Sequence, residues 1–310
     1  MRVLFVTALT PAVWGTTYAI TTEFLPPGRP LLSGVLRALP AGLVLLALTR
    51  RLPHGAWWWK SAVLGALNIG LFFALLFVSA YRLPGGMAAV LGAAQPLLVA
   101  GLSAVLLGER VSLRTVLAGL IGAVGVALAV LTATAGLDPI GIAAGLAGTA
   151  AMAGGLVLTK RWGRPGVSLL TATGWQLTAG GLTLIPVMLL SEGVPGHLSA
   201  ENLLGYGYLA LIGTALAYTL WFRGLDRLPA TQLSLLSLLS PVTATVIGWA
   251  ALGQSLTPVQ VGGMAIAFGA VVWGQWSHVR AGHHAARKAG ADRTRQRPAD
   301  RLRGGDVARH

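Results

Sequence analysis

Ten apolar segments follow one another along this chain, written as two sets of five. They lie near 3–23, 31–49, 58–80, 84–107, 113–132, 138–159, 168–190, 203–223, 229–252 and 257–277. Each is close to the roughly 20 residues a helix needs to cross a hydrocarbon core. The runs are continuously apolar with no two-residue alternation, which predicts helices and not strands. The duplication shows in matching stretches. Arg82-Leu83-Pro84 recurs as Arg227-Leu228-Pro229, Pro96 as Pro241, and Leu107-Gly108 as Leu252-Gly253, all at an offset of 145 residues. An odd number of spans per set turns the second set upside down in the bilayer. Two inverted halves around a central site are a common way to build alternating access. The sequence therefore predicts an all-α integral membrane protein with ten transmembrane helices in two inverted five-helix repeats. Residues 1–134 form the first repeat, 135–277 the second, and 278–310 a basic tail.

Composition agrees with lipid as the solvent. The chain of 310 residues is 55% hydrophobic and 10% charged, against roughly 25% charged in a soluble domain. The 42 glycines suit helices whose backbones approach closely. Gly141 and Gly145 stand at GxxxG spacing, and Gly119, Gly122 and Gly125 form a second series. With no cysteine, disulfides and thiolate chemistry are excluded. None of the six histidines falls mid-segment, so a metal site held by histidine within the membrane is not expected, and no cofactor is implied.

Charge sets the expected orientation. Of the 23 Lys and Arg residues, nine follow Ser277. With the N-terminus cytoplasmic, eleven more fall inside (Arg2, Arg50, Arg51, Lys60, Arg110, Arg114, Lys160, Arg161, Arg164, Arg223, Arg227), and only Arg29 and Arg82 fall outside. Both termini are expected in the cytoplasm of a cell whose plasma membrane holds the protein. Trp57, Trp58, Trp59, Trp162, Trp221, Trp273 and Trp276 then read as an aromatic belt on the inner side. The first span, with Pro11 and Trp14 inside it and no small-residue cleavage site before Glu23, reads as retained and not as a signal peptide. The tail reads as disordered and able to touch anionic lipid. It lacks the interleaved aromatics of a nucleic-acid binder, and none is expected as a partner.

The chain resembles the EamA-type transporters of the drug/metabolite transporter superfamily. The residues that carry the likeness are Trp14-Gly15, Arg37, Leu83-Pro84, Gln95-Pro96 and Leu107-Gly108-Glu109, then Leu228-Pro229, Ser240-Pro241 and Leu252-Gly253-Gln254. It spans about residues 3–277. The resemblance implies ten helices around a central cavity and export or exchange of small metabolites, often amino acids or their relatives. Two departures stand out. Gln254 occupies the place of a second Glu109, and Ala153-Gly154 stands opposite Trp14-Gly15 when Arg37 is aligned with Gln176.

Polar groups in hydrocarbon are costly and mark either a site or a packing hydrogen bond. Arg37 lies about 9 Å inside its span. Either it attracts an anionic group of a solute or it binds carbonyls between helices. Trp14 and Tyr18 share a helix face. With Asn68, Gln95, Trp175, Gln176, Tyr218, Ser237 and Ser240 they supply the aromatic walls and neutral hydrogen-bonding groups that a small amphipathic solute needs, or they are ordinary packing. Pro96 and Pro241 each free the carbonyl four residues back, on Gly92 and Ser237, and read as hinges or static kinks. No Asp or Glu falls near the midplane, so proton coupling through a buried carboxylate is not expected, and facilitated diffusion or exchange is.

An intramembrane enzyme would need a nucleophile with a base, or a metal cluster, at one depth, and the spans hold no His or carboxylate at matching depth. A channel would show repeating polar rings, and none is visible. The reading is a secondary permease, most simply a monomer, that exports amino acids or related compounds. A multidrug efflux pump or an importer of the same superfamily is the alternative.

Overall fold

The computed structural model describes residues 2–82, 91–130, 138–163, 165–252 and 257–274. Leu83-Pro84, Gly253-Gln254 and the tail lie outside them.

Every regular element among these residues is helical, as a chain without water around its backbone requires. In order they are α1 (Arg2–Phe24), α2 (Pro30–Thr49), α3 (Trp57–Gly65), a π segment (Ala66–Leu71), α4 (Phe72–Arg82), α5 (Gln95–Leu107), α6 (Leu113–Val130), α7 (Pro139–Trp162), α8 (Leu169–Ser191), α9 (Ala200–Ala210), a second π segment (Leu211–Leu216), α10 (Ala217–Leu225), α11 (Ala230–Leu236), α12 (Leu239–Leu252) and α13 (Pro258–Gly274). Among the described residues, seven stretches are long and apolar enough to cross a membrane, and α5, α13 and residues 113–128 of α6 are shorter apolar helices. Large apolar side chains such as Phe5, Leu48, Val105 and Leu190 stand exposed on the outside, as lipid-facing residues do.

Two irregularities occur twice. The π segments fall at the 145-residue offset, Asn68 matching Gly213. The helices also break just before Pro96 and Pro241. Ala94 N–H turns back to Leu91 O at 3.2 Å, and Leu238 N–H to Leu235 O at 3.3 Å. The proline ring has no N–H and clashes with the preceding turn, so each proline opens a new helix segment.

Neighbours repeat in the same way. α1 packs against α9, α10 and α12, and α7 packs against α3, α4 and α5. Between them α2 and α8 share the broadest interface. At its centre a Cβ on Gly42 would lie 2.5 Å from Thr178 N, and one on Gly181 would lie 2.9 Å from Leu39 N. Both pairs obey the 139-residue offset that matches Arg37 with Gln176. Residue i meets j while the counterpart of j meets the counterpart of i, as in a twofold pair. The glycines picked out by spacing pack as well. Gly145 meets Leu91 and Ser79, Gly119 meets Leu97, Gly122 meets Leu238, and Gly125 meets Ala267 and Gly263 O.

The helix ends sort into two groups. At one, Glu192 accepts from the N–H groups of Leu31 (2.6 Å) and Leu32 (2.9 Å), Arg29 Nη1 donates to Gly193 O (3.2 Å), and Asn202 Nδ2 donates to Phe24 O (2.8 Å). Arg82 also pairs with Asp138 there at 3.1 Å. Asp138 caps α7, and the Gly141 N–H, then Arg82 and the Ile140 N–H, hold its carboxyl below the usual carboxylate range. At the other end Trp175 Nε1 donates to Arg51 O at 2.7 Å, Trp59 meets Trp162 at 5.1 Å, and Arg114 lies over Trp273 at 5.1 Å.

Glu192 completes the N-terminus of α2 from a different helix, satisfying two of the four N–H groups that a helix start leaves open. Glu192→Ala is expected to cost about 1–2 kcal/mol. A thermal melt in detergent checks this. Glu192→Gln retains part of the loss, because its amide still offers one acceptor.

Candidate functional site

Four helical regions converge on the second π segment. A π turn widens the helix and leaves backbone carbonyls open to side chains. The carbonyl of Gly213 accepts two donors, Trp14 Nε1 from α1 at 3.1 Å and Arg37 Nη2 from α2 at 3.3 Å. Arg37 Nε also donates to Thr214 Oγ1 at 3.0 Å. The residue is only 3% exposed, and its guanidinium lies 4.8 Å from the Phe73 ring centroid. Of its two sequence readings, bonding to carbonyls between helices is what the geometry displays.

Around this point stands an aromatic box. Trp14 meets Tyr218 at 5.1 Å and Trp221 at 5.0 Å, and Phe73 meets Tyr218 edge-on at 6.3 Å. Tilted and edge-on pairs of this kind contribute about 0.5–1.5 kcal/mol each beyond burial. Tyr218 and Trp221 are fully buried. That corrects the expectation for Trp221, which does not belong to a lipid-facing belt. Trp58 and Trp59 do face outward. Depth alone set that expectation, and depth does not fix which helix face a residue occupies.

Beyond the box, away from the Arg-rich ends, hydroxyl pairs tie the same helices together. Thr16 Oγ1 and Tyr208 OH lie 2.8 Å apart, and Ser33 Oγ and Tyr206 OH lie 3.3 Å apart. None of Phe73, Thr214, Tyr206 and Tyr208 was singled out from the sequence. Phe73 and Thr214 lie within two turns of an expected residue, whereas Tyr206 and Tyr208 lie about three turns before Tyr218 and carried no signal.

The first π segment holds a second polar cluster. Asn68 Nδ2 donates to Gln176 Oε1 at 2.9 Å and to Thr159 Oγ1 at 3.2 Å. Asn68 Oδ1 lies against Gly155, where no side chain could fit. Gln176 is the counterpart of Arg37, and Asn68 that of Gly213. Each π segment is thus bonded by the polar residue of the matched second helix, once with a cation and once with an amide.

The other expected residues lie apart from these two clusters. Trp175 binds the Arg51 carbonyl and stands edge-on to His54 at 5.9 Å. Gln95 is buried at the start of α5, with no hydrogen-bond partner for its Nε2 among the described residues. Ser237 sits in the break between α11 and α12, its hydroxyl donating to Ser234 O at 2.7 Å. Its carbonyl, expected to be free, accepts the Ser240 N–H at 3.0 Å, because the turn before Pro241 reuses it. Ser240 O lies against α1, where a Cβ on Gly15 would come within 2.7 Å. Trp14-Gly15 thus does two jobs: the glycine lets α1 close on α12, and the tryptophan reaches the π carbonyl. Pro96 and Pro241 both start half-helices beside the breaks. The Tyr18 side chain lies outside the described residues.

Comparisons with known proteins agree with this architecture. The model of the EamA-like transporter family matches twice, over residues 1–131 and 139–273. Protein PecM of Dickeya dadantii is 48% identical over 84% of this chain and 88% of its own length. The chloroplastic WAT1-related protein At3g02690 of Arabidopsis thaliana is 29% identical over 83% of this chain and 66% of its own. The uncharacterized inner membrane transporter YedA of Escherichia coli K12 is 25% identical over 80% of this chain and 82% of its own. One solved crystal structure superposes with a TM-score of 0.76, covering 89% of this chain and 98% of that one at 22% identity, a likeness of fold. The helical, apolar, twice-matched chain is a multi-pass membrane permease and belongs to the EamA-like transporter family.

Proposed function

We propose that the protein is a secondary transporter that exports small metabolites, amino acids or related compounds, by alternating access between two inverted five-helix repeats, 1–134 and 135–277. One observation carries the reading. The polar residue of each second helix, Arg37 or Gln176, reaches into the π segment of the other half. Irregular helices that meet across matched halves near the membrane centre are where carriers place their solutes. The box of Trp14, Phe73 and Tyr218 offers walls to an apolar side chain, and Arg37 places a positive charge beside it, which favours a carboxylate. Gln95, Ser237 and Ser240, at the breaks before Pro96 and Pro241, complete the pathway, and the two breaks act as hinges.

The Lys/Arg bias supports an orientation with both termini cytoplasmic. Export then begins at the Arg-rich ends. Exchange or uniport fits spans with no Asp or Glu near the midplane. Because each half supplies one wall of the site, a monomer suffices.

The test is uptake of labelled amino acids, nucleobases and sugars into proteoliposomes holding the purified protein. Saturable uptake confined to carboxylate-bearing solutes, weakened in Tyr218→Phe, is the expected result. Uptake of neutral sugars alone would remove the proposed substrate class. No saturable uptake under any imposed gradient would remove the transport reading.

A further inference from the structure

A polar tie joins α7 to the corner between α10 and α11 at the Arg-rich end. Lys160, two residues before the end of α7, donates from Nζ to Leu225 O and to Leu228 O, each at 2.7 Å. Leu225 is the last residue of α10, and Leu228 lies in the corner before α11. An ammonium on the closing carbonyls of a helix meets its negative end. Burial works against this charge, and the carboxylates of Glu109, after α5, and Asp226, after α10, work for it. α7 otherwise packs mainly with α3, α4 and α5 and touches α11, whereas α10 packs mainly with α1 and also with α8 and α11. The same corner leads into α11, which packs on α5, so Lys160 adds a charged tie where the two groups of helices meet at this end.

Among the described residues, the position matched to Lys160 makes no such tie at the other end. Aligned as Trp14 is with Ala153, the counterpart of Lys160 is Thr21. Its hydroxyl donates to Thr17 O at 2.7 Å, within its own helix. A threonine carries no charge and cannot span to a neighbouring corner.

We propose that Lys160 is a one-sided latch that holds the Arg-rich mouth closed and biases the resting carrier toward the state open at the opposite mouth. This rests on the alternating-access reading above. A symmetric pair of halves would populate both states about equally. A charge-assisted tie present at one end shifts that balance by its full differential strength.

The absence of native cysteine allows single-cysteine reporters. Ser234→Cys on α11 stands at a residue buried here, and Thr16→Cys on α1, on the side away from the Arg-rich ends, at a half-buried one. Each is placed in the full chain with Lys160, Lys160→Met or Lys160→Arg. Maleimide labelling rates are then measured in detergent micelles, where both mouths meet the reagent. With Lys160→Met, the Ser234→Cys rate is expected to rise about tenfold while the Thr16→Cys rate falls. Lys160→Arg, which keeps a donor on the carbonyls, stays near the Lys160 rates. Both rates rising would mean general loosening and would overturn the latch, as would rates that do not move. The reporters read conformation and not flux. Loss of the latch with intact uptake is therefore distinguishable from failed uptake.

Discussion

Arg37→Ala is expected to lower saturable uptake by roughly thirtyfold, the equivalent of about 2 kcal/mol of lost charge-assisted recognition, while the protein still folds. The fold survives because the Gly213 carbonyl keeps its second donor, Trp14 Nε1 at 3.1 Å. Thr214, freed from Arg37, can turn its hydroxyl back to the carbonyl one turn earlier. Truncation leaves a space beside Phe73 and costs about 1–3 kcal/mol of stability, seen as a thermal midpoint lowered by a few degrees. Arg37→Lys is the informative control. It keeps the charge but loses the planar fork that reaches Thr214 Oγ1 and Gly213 O together, and a point charge does not replace a fork. Uptake between wild type and Arg37→Ala is expected. Arg37→Ala transporting at the wild-type rate would confine Arg37 to bonding carbonyls between helices.

Gly42→Val has the largest expected effect on stability. In the α2–α8 interface even a Cβ would stand 2.5 Å from both Thr178 N and Thr178 Oγ1, well inside contact distance and against rigid backbone. The two helices would have to separate along their broadest contact. A cost of about 3 kcal/mol or more is expected, enough for the detergent-solubilised protein to lose its cooperative melt. Gly181→Val, the matched position against Leu39, should behave alike. Gly154→Ala, where a Cβ meets nothing within 4 Å, is expected to change stability by less than about 0.5 kcal/mol.

Much of the fold was legible because lipid makes one demand on sequence. A spanning segment must be apolar for about 20 residues and must close its own hydrogen bonds. The expected 31–49 and 168–190 are observed as Pro30–Thr49 and Leu169–Ser191. The breaks beside Pro96 and Pro241 were legible because these two prolines match at the 145-residue offset, whereas Pro11, Pro40 and Pro186, inside the continuous α1, α2 and α8, have no counterpart. The π segments were not. Ala66–Leu71 and Leu211–Leu216 carry no shared residue signature, because a π turn is set by what packs around it. Face was the other gap. Gln176 and Trp175 are adjacent and were both assigned to the pathway. They point about 100° apart, so Gln176 reaches Asn68 while Trp175 reaches the Arg51 carbonyl. The Gly42–Thr178 and Gly181–Leu39 contacts follow from the 139-residue offset, but only once α2 and α8 are seen to be neighbours.

Counterflow tests the central claim most directly. Proteoliposomes are loaded with a high concentration of an unlabelled carboxylate-bearing solute identified in the uptake panel, then diluted into trace label of the same solute. A carrier whose site faces one side at a time returns loaded with label on each exchange. A transient accumulation of label above its equilibrium level, larger with more internal solute, is therefore expected. Label that enters only to equilibrium, at a rate indifferent to the solute inside, would contradict alternating access between the two halves.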